Sequence, residues 1–508
     1  MKLDFAKNTK RNAIAAMANK GIGLIFPFLN RTLFLWLLGP EYLGLNGLFT
    51  SVLGVLMLAE LGFGTAVVCS MYKPVADDNR ELVCAYLRFY RKVYRWVGTV
   101  VFVAGLCLLP FLRNLVRGDV PADVDLHILY LIHLVNTSIS YFLFAYRGSV
   151  LNAYHRGDVQ TNIHTFTSIV QYVAVFLILL VTRNYYHYVA ATVLFTVVNN
   201  LLVYRESRRL FPDIEPRGDL PDNLRRAVIS DVRSIFMHKI GAVVTNQSDN
   251  LVISAFVGLV AVAAYGNYYY VYTAVSGLAW SVYSSMQNGF GNTIHTETKE
   301  ENFARFMKAE RLLLMVVAWC SALMIALYQP FIAVWTGGRP ELSRHLLTAV
   351  LMVLYFYINQ SRQMLLTFKA AASLWRADRW KPIVAGSLNL ALNISFVVML
   401  PDEYKLDGVI LSTILSFVLV QIPWETHVVF TSYFGRTELR SYVRTQLGFA
   451  LFAVALGAVV WTMSSIIVLD GIVGLAVKGI VALLCASAGV IAAFRRDFPV
   501  VVRLIRKK

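Results

Sequence analysis

Apolar stretches of about twenty residues recur along the whole of this 508-residue chain, and nothing else in it restricts the fold as tightly. A helix needs about 20 such residues to cross the hydrocarbon of a bilayer. Fourteen segments meet the demand: 12–38, 45–71, 96–112, 126–146, 160–181, 185–204, 237–257, 262–290, 312–335, 346–368, 383–400, 408–424, 447–469 and 472–494. In lipid every backbone N–H and C=O must be paired internally, so only helices and closed barrels can span. The short alternating strands of a barrel are absent from the sequence. The expected fold is therefore an all-α polytopic membrane protein with 14 transmembrane helices. Composition agrees, with 57% hydrophobic and only 15% charged residues.

The net charge of +17 would point to nucleic acid in a soluble protein, but topology accounts for most of it. With the N-terminus in the cytoplasm, the inside segments hold 35 of the 47 Lys and Arg residues and the outside loops only six. That is the asymmetry of the positive-inside rule. It places both termini in the cytoplasm, with no nucleic-acid partner. The start, MKLDFAKNTKRN, lacks a small-residue cleavage site and does not read as a removed signal peptide. The five cysteines show neither CxxC nor metal-ligand spacing, so neither a disulfide framework nor a metal site is expected.

Loop lengths divide the chain. Residues 1–204 form an N-lobe of spans 1–6, 205–236 a cytoplasmic linker, and 237–430 a C-lobe of spans 7–12. Residues 431–508 hold a C-terminal helix pair and a basic tail. The linker carries Pro, Gly and mixed charge, and from Asn223 on it is expected to form an amphipathic surface helix. Spans 13 and 14 read as an appendage.

Charges inside the membrane are expensive and by default functional. Six cations, Lys20, Arg31, Arg147, Lys239, Arg362 and Lys478, face only two acids, Glu60 and Asp249. Lys20 and Arg31 lie eleven residues apart, about three helical turns, with Pro27 between them. Near the ends of span 1 both can also snorkel to the membrane edge. A shift of 219 residues lays Lys20 on Lys239, Asn30 on Asp249, Arg31 on Asn250 and Gly39 on Gly258. A shift of 215 lays Arg147 on Arg362. Two shifts so close imply a duplicated bundle, two six-helix lobes around a central cavity, in parallel repeat. Spans 5 and 8 are rich in amides, hydroxyls and tyrosines, which serve interhelical hydrogen bonding and can also line a hydrated cavity.

Several runs carry a family resemblance: RTLFLWLLGPEYLGLNGLFT over 31–50, LAELGFGTA over 58–66, YKP over 72–74, SDNLVIS over 248–254 and YGNYY over 265–269. Together with the topology they resemble bacterial polysaccharide (O-antigen-type) flippases of the multidrug/oligosaccharidyl-lipid/polysaccharide exporter superfamily. The resemblance implies alternating access that carries a polyprenyl-diphosphate-linked oligosaccharide across the membrane for polysaccharide biosynthesis. It implies Arg31, Lys20, Lys239, Arg362 and Arg147 as contacts of the diphosphate, since Arg and Lys pair strongly with phosphate in a low dielectric. Asn30, Asn246 and Asn250 would be polar lining of the cavity. Asp249 and Glu60 are the ion-coupling candidates, although Glu60 could equally neutralise a neighbouring cation. No cofactor is expected, and coupling to H+ or Na+ stays open. Membrane lipids are expected partners, with glycosyltransferases and a polymerase of the same pathway as further candidates.

Two rival readings remain. A multidrug and toxin exporter shares the twelve-helix core, but an excess of buried cations disfavours cationic drugs. A polysaccharide polymerase or ligase would place catalytic residues in a large outside loop. No outside loop here exceeds about fifteen residues, and no HExxH, GxSxG or P-loop occurs. Enzyme activity is not expected.

Overall fold

Helices account for every regular element among the described residues of the computed structural model. The structure describes residues 5–60, 62–118, 120–284 and 286–494; within these ranges, the side chains of 5–20, 59, 234, 237–239, 242, 246, 281–282, 287–289, 292, 295 and 375–376 lie outside the description. In chain order the helices are α1 Phe5–Leu37, α2 Pro40–Leu56, α3 Phe63–Ala76, α4 Arg80–Leu108, α5 Leu126–Phe142, α6 Gly148–Ala153, α7 Gly157–Thr182, α8 Tyr185–Leu210, α9 Asp222–Phe256 and α10 Leu259–Ser284. There follow α11 Gln287–Thr296, α12 Lys299–Trp335, α13 Leu346–Ser361, α14 Gln363–Ala371, α15 Lys381–Met399, α16 Lys405–Ser416, α17 Ile422–Ser432, α18 Arg436–Ser465 and α19 Gly471–Ala493.

The starts follow from the residues that supply missing hydrogen-bond partners. Asn79 caps α4 by accepting from the Leu82 amide, and Asp125 caps α5 by accepting from those of His127 and Ile128. A capping box opens α12, where Thr298 and Glu301 bond each other's amides. The Thr298 amide, first among these contacts, holds the Glu301 carboxyl below its ordinary range.

Among the described residues eight helices are long and apolar enough on their own to cross a membrane, and the bent pair Leu126–Phe142 and Ala145–Ala153, angled by 47°, makes a ninth. The other five expected spans are shorter, broken or more polar than that. Span 2 is split into α2 and α3 by a 3-10 turn, Met57–Glu60, and by Gly62 in the left-handed region at φ 95. Span 10 is split into α13 and α14 at Arg362. Span 12 continues from α16 through a π-helical stretch, Phe417–Gln421, into α17. The expected surface helix after Asn223 does not exist separately, because α9 runs unbroken from the linker through span 7.

By packing, the chain divides into residues 1–262 and 263–508. In the first unit, α9 lies along α2 and α3 although it follows the linker in sequence. Small residues on one side of α2 permit this approach: Gly44 faces the Leu259 carbonyl, Gly54 faces the Gln247 amide, and Ser51 accepts from Asn250 Nδ2 at 2.9 Å. A Cβ at Gly44 would run into that carbonyl, which is backbone and cannot rotate away. Gly44→Ala is therefore expected to destabilise by about 1–3 kcal/mol, read as a lower melting temperature in detergent. In the second unit Leu314, Ala322 and Ala326 of α12 pack against Phe449, Leu456 and Val460 of α18 and Ala482 and Ala486 of α19. The last two helices are thus built into a core and are not an appendage.

The same backbone turn follows α1 and α9. After α1, the amides of Leu38 and Gly39 donate to Phe34 O; after α9, those of Val257 and Gly258 donate to Ile253 O. Every position differs by 219. Gly39 and Gly258 both take positive φ, 118 and 125, so the shared glycine has a conformational reason.

Candidate functional site

Arg147 and Arg362, matched by the shift of 215, both stand where a span breaks and restarts. Phe144 adopts φ 59 ahead of Arg147, which N-caps α6, while Arg362 ends α13 and N-caps α14. Both are buried, at 2% and 9% exposure.

Around Arg362 the second unit gathers a group of charges. Arg362 Nη1 donates to Gln421 Oε1 at 2.6 Å, and Nη2 lies 3.4 Å from Glu425 Oε1. Its guanidinium sits over the Phe417 ring, 4.7 Å from the centroid. Lys381 Nζ reaches the same Glu425 oxygen at 2.5 Å and Asp378 Oδ2 at 3.3 Å, and Lys369 pairs with that aspartate oxygen. All five are buried, Glu425 at 0% exposure. Among the described residues this makes three cations against two acids. Arg362 Nε, Asp378 Oδ1 and Glu425 Oε2 are buried without hydrogen-bond partners. The break in span 10 and the π stretch in span 12 bring these residues together, a common setting for function.

A second buried acid, Glu310 of α12, accepts from Gln446 of α18. Gln446 also donates to the Ser361 carbonyl at 3.2 Å, one residue before Arg362. The sequence reading missed Glu310, Lys369, Asp378, Lys381 and Glu425. Glu310 falls two positions before span 9, and the other four fall in segments assigned to cytoplasmic loops. The one available signal was Pro423 between Gln421 and Glu425, inside an otherwise apolar run.

In the first unit Arg147 Nη1 donates to Ile214 O at 2.6 Å and its guanidinium lies over Tyr204. Arg80–Asp213 at 2.7 Å, Arg88–Asp219 at 3.1 Å and Arg208–Glu215 at 2.7 Å hold the same stretch of linker. Arg147 therefore sits under a pinned linker segment.

Glu60 ends the 3-10 turn that breaks span 2. Tyr94 and Tyr141 donate to its two oxygens at 2.5 and 2.6 Å. Among the described residues no cation pairs with it. Asn30 donates to the Tyr188 hydroxyl at 2.9 Å, and Arg31 beside it is half-buried. Asp249 is buried, and Asn250 bonds Ser51. Lys20, Lys239 and Asn246 belong to α1 and α9, and their side chains lie outside the described residues. Arg31, Asn30 and Glu60 belong to the first unit and Arg362 to the second.

Known proteins place this arrangement in context. A search of curated proteins by sequence finds no match. Among solved structures, the lipid II flippase MurJ in an inward closed conformation superposes with a TM-score of 0.67, at 13% identity, covering 96% of this chain and 99% of MurJ. An inward-facing multidrug resistance MATE family transporter of the MOP superfamily superposes at 0.58 and 14% identity, covering 81% of this chain and 98% of its own. The Vibrio cholerae MATE transporter VcmN gives 0.56 at 12% identity, with 83% and 97% covered. These likenesses establish the fold, that of a multi-pass helical membrane protein. The family model described as polysaccharide biosynthesis protein matches residues 9–286, more than half of the sequence, and the chain belongs to that family.

Proposed function

We propose that the chain moves a polyprenyl-diphosphate-linked oligosaccharide from the cytoplasmic to the outer leaflet of a bacterial membrane by alternating access. The reading includes fourteen spans with both termini in the cytoplasm and two lobes with a hydrated cavity between them. The observation that carries it is the pair of buried arginines, Arg147 and Arg362, at breaks in apolar helices of a polysaccharide-family chain. A diphosphate is a concentrated anion, and buried guanidinium and ammonium groups are its natural partners. Arg362 already has a carboxylate partner, Glu425, so an incoming diphosphate would compete with it and couple binding to rearrangement at the break in span 10. Arg31 and Lys20, with Lys239 as the repeat counterpart of Lys20, are assigned to the first contact. Glu60, held by two phenols, is assigned to ion coupling.

The test is a vesicle assay with the purified protein and a fluorescent polyprenyl-diphosphate oligosaccharide, scored by a membrane-impermeant quencher. Protein-dependent loss of the protected half of the signal is expected. Export of a cationic dye under an H+ or Na+ gradient, with no movement of the lipid, would instead make the chain a multidrug exporter.

A further inference from the structure

Beyond the transport site, the structure shows a basic ladder along the exposed side of α18. Arg436, Arg440 and Arg444 stand four residues apart on one helical face and line a shallow recess with Val443, Leu447 and Leu451. The three arginines are exposed and make no ion pair among the described residues. Glu438, the one acid in these turns, lies two residues from Arg440 and so on the opposite side of the helix. Toward the membrane the face turns wholly apolar, with Leu447 61%, Leu451 73% and Val454 72% exposed.

We propose that this face binds the phosphate of an anionic phospholipid in the cytoplasmic leaflet, its acyl chains lying along Leu447, Leu451 and Val454. The apolar run begins at residue 447, so at 1.5 Å per residue Arg444 stands about 4.5 Å below it and Arg440 about 10 Å below it. The headgroup layer adds roughly 5–8 Å to each side of the hydrocarbon, so Arg444 stands within it and the long Arg440 side chain reaches its outer edge. Guanidinium groups one turn apart can grip one phosphate with several charge-assisted hydrogen bonds. Arg436, deeper in the cytoplasm, adds longer-range attraction. The site has a route to the transport machinery: Gln446, two residues from Arg444, faces inward to Glu310 and the Ser361 carbonyl. The assignment takes the cytoplasmic side of residues 425–446 from the charge count and does not depend on which substrate is carried.

The experiment is native mass spectrometry of the full chain, delipidated in detergent and offered equimolar phosphatidylglycerol and phosphatidylcholine. The native protein is expected to retain phosphatidylglycerol preferentially. At about fivefold per arginine, Arg440→Gln with Arg444→Gln should lower that preference roughly 25-fold, while Arg440→Lys with Arg444→Lys should keep most of it. Both pairs are exposed, and melting temperatures equal to native confirm folding; if the double glutamine variant is unstable, Arg444→Gln alone should still lose about fivefold. Equal retention of the two lipids by the native protein would overturn the site, as it would for a face reserved for an acidic protein. An undiminished preference in the glutamine variants would overturn it too.

Discussion

Arg31→Ala is expected to abolish surface polysaccharide while the protein stays abundant in the membrane. The residue is half-buried in the outer part of α1, in a helix already interrupted by Pro27. Its neighbour Asn30 is fixed by the Tyr188 hydroxyl, and Phe34, one turn further on, packs edge-on against Tyr185 and Tyr188 with centroids 5.1 and 5.0 Å away. Helix α1 is therefore held by contacts that do not need the guanidinium, and removing it leaves the packing in place. Losing a charged partner of a desolvated phosphate weakens the complex by about 2–5 kcal/mol, enough to reduce transport at least about thirtyfold. Arg31→Lys keeps the charge but not the two-pronged geometry, so partial recovery is expected. Quantifying surface polysaccharide beside membrane abundance checks this. Normal polysaccharide in the alanine strain removes Arg31 from the headgroup site, and loss of the protein itself makes its role structural.

The helical, membrane-spanning class was readable because lipid leaves the backbone no other way to pair its polar groups. The turns at Gly39 and Gly258 were readable too, since both glycines take positive φ after a helix. Breaks inside spans were harder to see. Gly62 can signal one by its own chemistry, but Phe144 takes the same left-handed region against its intrinsic preference, and only tertiary packing imposes that. Burial of charge was invisible for a related reason. Lys369, Asp378 and Lys381 stand in a short segment whose hydropathy is that of a cytoplasmic loop, and their desolvation comes from α14, α15 and α17 folding together. The arginine pair 147 and 362 shows both sides of this. Their common place at a break in a span was signalled by the spacing, whereas their different partners, a linker carbonyl and a glutamate, were not.

The imbalance around Arg362 makes the order of damage among its neighbours predictable. Glu425→Gln removes the carboxylate shared by Arg362 and Lys381 and leaves three buried cations with Asp378 alone. Breaking a buried ion pair from one side destabilises by about 3–5 kcal/mol, so a large fall in melting temperature and in membrane yield is expected. Asp378→Asn should do comparable harm, because it unpairs Lys369 and leaves Glu425 alone among three buried cations. Lys381→Met is expected to behave in the opposite way. It leaves Arg362 with Glu425 and Lys369 with Asp378, two cations for two acids, and its apolar stem keeps the packing. Adding it to Glu425→Gln should recover part of the lost stability, since one of the two stranded cations is gone. Melting temperatures of the four variants in detergent measure this directly. Equal damage from the lysine and glutamate changes would mean that the buried charge is balanced. If instead Lys381→Met folds well but transports poorly, the surplus cation is held for the anion that the protein carries.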